Sequence, residues 1–321
     1  MKYWNLILKI LLVTSIFYFA SCDSFEGEQE IPSYIHIQGF NVVESTTAGF
    51  TFIQDSSFLT NEITDVWVTV TYNGKQHSLG AYAIGETGTL NIPILFKGKC
   101  VVELSPGVKY NGMNATRDYY RFYTSALDTV ELKEGEIIEM GIKDVSYNNS
   151  TRIAKRIFFE DTFNPFENAL DIDSNIVCRM NMIDNKDSVV YGNKCGAFYS
   201  TSSTDDFKMI TKDSIVGTGN KTMVLELDYH SNIAFQVGIF GRLSSVSQPM
   251  YVSSVQMAAN DNPHLRANDK RNWQKMYITL GKVWANIDNQ PFKLWFMPVN
   301  TNNNPKGYVH IDNIKLVTFP Q

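Results

Sequence analysis

The chain has 321 residues, of which 44% are hydrophobic, 13% aromatic and 19% charged, and its formal net charge is −5. At roughly 150 residues per domain this length predicts about two domains, and the composition is that of a globular protein. The acidic balance excludes a protein that wraps DNA or coats RNA, because such proteins need a basic face. No nucleic-acid partner is therefore expected, and the many aromatic residues beside few charges favour β structure.

The first 22 residues have the pattern of a secretory signal: two lysines are the only charges, and the apolar run Ile10–Phe19 is followed by small residues and a cysteine. The run is too short for a membrane span of about 20 residues. A plain cleaved signal and a signal anchor are the alternatives. However, Phe19-Ala20-Ser21-Cys22 resembles the lipobox of bacterial lipoproteins, with Phe in place of the commonest Leu, as in relaxed lipoboxes of Bacteroidota. The resemblance implies that residues 1–21 are removed and that acyl chains such as palmitate on Cys22 anchor the protein in the outer membrane.

Residues 22–33 are acidic and turn-prone, and they hold too little apolar surface to fold alone, so we expect a solvated tether. The segment also resembles the acidic export signal that follows the lipidated cysteine in Bacteroidota lipoproteins. That resemblance implies display on the cell surface, with a periplasm-facing position as the alternative. The acidic residues concerned are Asp23, Glu26, Glu28 and Glu30.

Residues 34–145 predict an immunoglobulin-like β-sandwich. Two strand patterns, Ile63–Tyr72 and Gln76–Ala83, are joined by Asn73-Gly74, the strongest short signal for a hairpin. Further short strand patterns lie between Gly, Pro and Asn residues, at Thr89–Leu95, Lys99–Leu104, Tyr119–Tyr123, Val130–Lys133 and Ile137–Ile142. The stretches Ile63–Val70 and Pro106–Lys109 also resemble the front half of certain Bacteroidota lipoproteins, a likeness that implies a family but no activity.

Residues 146–156 are polar at the start and predict a linker before a second domain at 157–321. Its strand patterns suit a double-sheet jelly roll and are Met223–Tyr229, Ile233–Phe240, Tyr251–Met257, Gln274–Leu280, Phe292–Pro298 and Tyr308–Val317. Three segments, taken in chain order, resemble the galactose-binding-like jelly roll of carbohydrate-binding modules and surface lipoproteins. They are Ile157–Asp161, Trp273–Leu280 and Val309–Leu316. The expected fold class is all-β, with an immunoglobulin-like sandwich followed by a jelly roll.

This jelly-roll resemblance implies one metal site. A structural calcium ion often joins the first and last strands of such domains, and Glu160 and Asp312 occupy the matching positions. Carboxylate oxygens suit Ca²⁺. The alternative is that Glu160 is solvated and Asp312 caps a turn, and no catalytic cofactor is expected in either case.

Two tryptophans are candidates for stacking on a sugar ring. Trp284 lies in surroundings rich in Asn and Asp, and Trp295 lies in a strand pattern, with a core position as the alternative for both. The loop Asn260–His264 could face the same ligand or form a plain turn. Cys178 and Cys195, 17 residues apart in an exported chain, are candidates for a disulfide, with two buried thiols as the equal alternative.

Catalytic motifs are missing from the sequence, which has no H-E-x-x-H, no G-x-S-x-G and no Walker loop. Glu226 and Asp228 share one strand face, as paired acids do in jelly-roll glycosidases, but the third acid of that signature is absent. His230 beside Asp228 favours a surface hydrogen bond over a catalytic triad. We therefore expect no enzyme and no catalytic residues. The expected function is a non-catalytic surface lipoprotein that binds glycan; the alternative is an accessory subunit of an outer-membrane protein complex for transport or assembly.

Overall fold

The structure is a computed structural model, and it describes residues 30–45, 59–85, 88–157, 159, 165–168, 180–184, 194–205, 207–216, 223–244, 246–265, 270–279 and 290–319. Within these ranges the chain forms β-strands, with short 3-10 turns at Asn114–Thr116 and Lys270–Asn272 and no α-helix. This confirms the all-β fold class. No helix among the described residues is long and apolar enough to cross a membrane.

The first part of the chain forms an N-terminal sandwich of two sheets. Its strands are β1 (Ser33–Val42), β2 (Asp65–Tyr72), β3 (Lys75–Ala83), β4 (Leu90–Ile94), β5 (Gly98–Lys109), β6 (Arg117–Tyr119), β7 (Ala126–Leu132) and β8 (Ile137–Val145). Sheet 1 has the order β4-β1-β8, with β1 and β8 parallel. Sheet 2 has the order β3-β2-β5, and β5 pairs along its other edge with β7 and then with β6.

The hairpin expected at Asn73-Gly74 is present. Both residues have positive φ, 49° and 74°, which the two central positions of a type I′ turn require. The core between sheets 1 and 2 follows the two-residue period of a strand: Val66, Val68 and Val70 of β2 are fully buried. The predicted strand Tyr119–Tyr123 is wrong beyond Tyr119, because the residues that follow form a turn.

The later strands form a C-terminal sandwich. They are β9 (Arg152–Ile157), β10 (Phe166–Asn168), β11 (Asn181–Ile183), β12 (Cys195–Ser200), β13 (Met209–Thr211), β14 (Val224–Ser231), β15 (Ala234–Gly241), β16 (Met250–Met257), β17 (Gln274–Thr279), β18 (Phe292–Val299) and β19 (Gly307–Thr318). Sheet 3 has the order β10-β13-β18-β15-β16, and sheet 4 has the order β11-β12-β19-β14-β17. Strand β9, which we expected to be part of a linker, pairs with β19 instead.

Sheets 3 and 4 enclose one large core. Alternate residues of the central strands fill it, among them Leu225, Leu227 and Tyr229 of β14 and Val237 and Ile239 of β15. The residues between them point to the outer faces. On β14 these outer residues are buried as well, so something covers that face of sheet 4.

The cover is the N-terminal sandwich. Aromatic side chains Tyr120, Phe122, Tyr123 and Tyr147 form one buried cluster with Val224, Tyr277 and Val317 of sheet 4. The backbone N–H of Asn111 donates to the carbonyl of Tyr277 (2.8 Å), which continues sheet 4 beyond the edge strand β17. The two sandwiches therefore share a buried, hydrogen-bonded interface.

Candidate functional site

The outer face of sheet 4 holds Glu226 and Asp228, the two acids that the sequence predicts to share one face of a strand. Glu226 and Asp228 alternate on β14, as expected, but they are 0% and 1% exposed. A pair of carboxylates can flank a sugar only if the sugar reaches both of them. In this arrangement the pair is closed off by the N-terminal sandwich.

Glu226 is the centre of a buried charged cluster. Its carboxylate accepts hydrogen bonds from the hydroxyls of Tyr120 and Tyr147, the latter at 2.8 Å. The ammonium groups of Lys275 and Lys315 lie 3.2 and 3.4 Å from Oε2. Two cations and two hydroxyl donors thus surround one anion, which is the arrangement that a buried charge needs.

The protonation states in this cluster follow from its geometry. Burial alone would raise the pKa of Glu226, but Lys315, Lys275 and the tyrosine hydroxyls outweigh it, so the pKa lies below its usual value. Burial, joined by the repulsion of Lys275, lowers the pKa of Lys315 to about 8. Burial raises the pKa of Tyr120 and Tyr147 well above the usual range, so both remain O–H donors. The cluster therefore joins the two sandwiches through buried charges and hydroxyl donors.

Asp228 is also held in place. Its Oδ2 accepts hydrogen bonds from Thr60 and Asn313, both at 2.6 Å. Asp312 lies opposite Asp228 in the β14–β19 register and is 7% exposed. Burial raises the pKa of Asp312 well above its usual value, and the charge of Asp228 adds to the rise, whereas the Asn313 N–H opposes it.

The structure describes only one of the two residues that were predicted to bind calcium. Asp312 lies within the described residues, and Glu160 lies outside them. Among the residues that the structure describes, no three His, Cys, Asp or Glu side chains are close enough together to hold a metal ion. The calcium ion remains a prediction.

A polar cluster lies further along the same face. The Nε2 atom of His230 is 2.9 Å from Oδ1 of Asp261 and 3.2 Å from the hydroxyl of Tyr308. A catalytic relay needs the acid and the nucleophile on opposite ring nitrogens, so this arrangement is not a triad. Burial raises the pKa of Tyr308, and Asp261 adds to the rise. The loop Asn260–His264 serves a structural purpose here, since Asn260 accepts from the Ser231 N–H at 2.8 Å.

Sheet 3 has the more open outer face, and it carries aromatic rings. Phe240 of β15 and Tyr251 of β16 lie 5.1 Å apart between ring centroids, and Tyr251 meets Trp295 of β18 edge-on at 5.4 Å. The ammonium of Lys208 lies 5.0 Å above the Tyr251 ring, within the range of a cation–π interaction. We call Phe240, Tyr251 and Trp295 the aromatic face.

Trp295 does not have the position that we expected. It is 4% exposed, so its ring offers no open surface to a sugar while Tyr251 stays where it is. The ring lies across Gly238, where an added Cβ would come within 2.7 Å of it. Its Nε1 atom is buried and has no hydrogen-bond partner among the described residues. The half-buried Phe240 and Tyr251 are therefore the rings nearest to solvent, and sequence patterns missed them because neither stands in a recognisable motif.

A cleft adjoins the aromatic face at the end of sheet 3. It has a volume of about 400 Å³, within the roughly 300–1,000 Å³ that is typical of ligand pockets. Phe240 belongs both to its lining and to the aromatic face, and Ser214, Arg242 and Lys293 supply polar groups. Aromatic walls with a few convergent polar groups are the usual construction of a small-ligand site.

The structure describes only some of the remaining predicted residues. Six of them lie outside the described residues, namely Cys22, Asp23, Glu26, Glu28, Trp284 and Cys178. Glu30 is described and exposed, and Cys195 is buried in β12. The lipid anchor, the export signal and the disulfide thus remain predictions.

Comparisons with known proteins add a likeness of fold. No protein family and no curated protein matches the sequence. Among solved structures, a family 11 carbohydrate-binding module from Clostridium thermocellum in complex with a β-1,3-1,4-mixed-linked tetrasaccharide is similar to 52% of this chain over 96% of its own length (13% identity, TM-score 0.34). A cleaved adhesin domain of Lys-gingipain from Porphyromonas gingivalis is similar to 53% of this chain over 97% of its own length (10% identity, TM-score 0.32). Both likenesses concern the β-sandwich alone and leave the ligand open.

Proposed function

We propose that the protein is a non-catalytic binding module that holds a glycan on the aromatic face of sheet 3. The observation that carries this proposal is the pairing of half-buried Tyr251 and Phe240 with an adjoining cleft of about 400 Å³. A sugar ring has an apolar face that can stack on an aromatic ring, and the cleft supplies hydrogen-bonding groups beside it.

The arrangement of sheet 4 supports the choice of face. Its acids are enclosed by the N-terminal sandwich, and Glu226 is neutralised by two lysines. A glycan on that half of the sheet would have to displace buried aromatic residues such as Tyr120 and Tyr147. Sheet 3 requires no such displacement.

The proposed location rests on the sequence. We infer that acyl chains on Cys22 hold the protein in the outer membrane and that the acidic tether turns it towards the cell exterior. A glycan-binding module in that place would capture polysaccharide at the cell surface.

The alternative function, an accessory subunit of an outer-membrane complex, predicts a large apolar surface. Large apolar side chains that are well exposed include Leu127 (66%) on sheet 2 and Ile137 (57%) on sheet 1. Exposed apolar residues of this kind are ordinary on soluble proteins when they are scattered. Pull-down from detergent-solubilised membranes tests this alternative directly.

The glycan proposal is tested by binding the purified protein to a panel of soluble polysaccharides in calorimetry. We expect binding to at least one, and a loss of about tenfold or more in Tyr251→Ala, because the ring on which the sugar is proposed to stack is removed. The matched control is Tyr199→Ala, which removes a 46% exposed tyrosine from sheet 4 and should leave the affinity unchanged. No binding to any polysaccharide, or equal loss in both variants, would contradict the proposal.

A further inference from the structure

The cleft beside the aromatic face has an unusual charge. Arg242 lines it, is exposed, and forms an ion pair with no acid among the described residues. The protein as a whole carries a formal charge of −5. A cation without an acidic partner among the described residues, in a cleft beside the aromatic face, runs against that overall balance.

The acidic groups near the cleft do not compensate Arg242. Glu167 lies 2.7 Å from the ammonium of Lys293, and Asp213 lies 3.0 Å from the ammonium of Lys155. Each of these acids is matched by a lysine of its own. Among the described residues around the cleft, Arg242 therefore leaves a net positive charge.

A second cation packs against the aromatic face. The ammonium of Lys208 lies 5.0 Å above the ring of Tyr251. Tyr251 in turn contacts Phe240, and Phe240 lines the cleft with Arg242. The rings of Tyr251 and Phe240 thus lie between Lys208 and the cleft that holds Arg242.

From the position of Arg242 in the cleft beside these rings we infer that the aromatic face and its cleft take an anionic glycan, one that carries carboxylate or sulfate groups. The inference rests on the proposed glycan-binding function and names its ligand class. The sugar stacks on Tyr251, and one anionic group pairs with the guanidinium of Arg242, whose planar fork matches two oxygens at once.

The test uses two pairs of polymers in which only the charge differs: dextran sulfate against dextran, and polygalacturonate against its full methyl ester. We expect one anionic member to bind at least tenfold more tightly than its neutral partner, and the pair that shows this distinguishes sulfate from carboxylate. In Arg242→Gln the affinity for the anionic member should fall roughly tenfold, the effect of losing one charge-assisted hydrogen bond.

The matched control is Lys306→Gln, which removes the same charge from an exposed turn at the opposite end of the C-terminal sandwich. An equal loss in Lys306→Gln would show a diffuse charge effect and would overturn the inference. Equal affinity for charged and neutral polymers, with no effect of Arg242→Gln, would also overturn it but would leave the proposed function in place. If Tyr251→Ala leaves the binding of every polymer unchanged, the proposed function itself fails.

Discussion

The buried cluster at Glu226 makes the interface between the two sandwiches sensitive to a single substitution. Glu226→Gln keeps the size of the side chain and removes its charge. The ammonium groups of Lys275 and Lys315, at 3.2 and 3.4 Å, then lose their shared anion while they stay buried. The hydroxyls of Tyr120 and Tyr147 also keep only a neutral acceptor.

The expected loss is large compared with the stability of a domain. Breaking a buried ion pair by removing one partner costs about 3–5 kcal/mol, because an uncompensated charge remains. Domains are stable by about 5–15 kcal/mol in total. At about 2–4 °C per kcal/mol for a unit of 150–250 residues, the melting temperature should fall by roughly 10 °C.

Thermal and urea unfolding of the purified protein measures this effect. The matched control is Glu139→Gln on β8, whose side chain is 66% exposed and whose loss should change stability by no more than about 0.5 kcal/mol. Replacing Glu226, Lys275 and Lys315 together by apolar residues of similar size should restore part of the lost stability, because the anion and both of its cations are removed together. If Glu226→Gln lies within about 1 kcal/mol of the unsubstituted protein, the charged cluster does not hold the sandwiches together.

The same cluster fixes the sign of a pH effect. The pKa of Glu226 is lowered in the folded protein, so its contribution to stability is complete above the ordinary pKa of about 4.3 and is lost as the pH falls through the lowered value. The pKa of Lys315 is lowered to about 8, so the unfolded chain binds more protons above that pH and this lysine makes stability rise between about pH 8 and 10. The acid limb should be flatter in Glu226→Gln.

Three further predictions concern other parts of the chain. In Gly238→Ala the new Cβ would meet the Ser253 carbonyl oxygen at 2.1 Å and the Trp295 ring at 2.7 Å, so we expect a loss of about 1–3 kcal/mol in urea unfolding; an unchanged midpoint would show that the ring moves aside freely. Cys22→Ala should abolish membrane anchorage, and a variant that still sediments with outer membranes after a carbonate wash would disprove lipidation. If calcium binds at Asp312, a hundredfold excess of calcium over its Kd adds about 2.7 kcal/mol to the free energy of unfolding. A chelator should reverse this gain, and Asp312→Ala should not show it. Identical melting curves with calcium and with chelator would leave Asp312 with a structural role only.

Local sequence patterns predicted which residues form strands better than they predicted which strands pair with each other. The hairpin at Asn73-Gly74 follows from the backbone freedom of two adjacent residues, so the sequence alone was sufficient. Strand β1 pairs in parallel with β8 about 100 residues later, and no local sequence pattern predicts such a pairing. Strand β9 looked like a linker because the residues just before it are polar and three of its own six residues are charged.

The candidate site was harder to predict for the same reason. The sequence indicated that Glu226 and Asp228 share a face, which the structure bears out. It could not indicate that Tyr120 and Lys315, each about 90–110 residues away, would enclose Glu226. The aromatic face depends on cross-strand neighbours in the same way, since Phe240 meets Tyr251 only through the β15–β16 register.

Hydroxyl-radical footprinting reports which side chains a bound glycan covers, and it therefore shows whether the ligand lies on the aromatic face. With a saturating polysaccharide from the panel, we predict that oxidation of Tyr251 and Phe240 falls several-fold while oxidation of the exposed Tyr199 on sheet 4 is unchanged. Protection of Tyr199 while Tyr251 stays reactive would place the ligand on sheet 4 and would contradict glycan binding at the aromatic face of sheet 3.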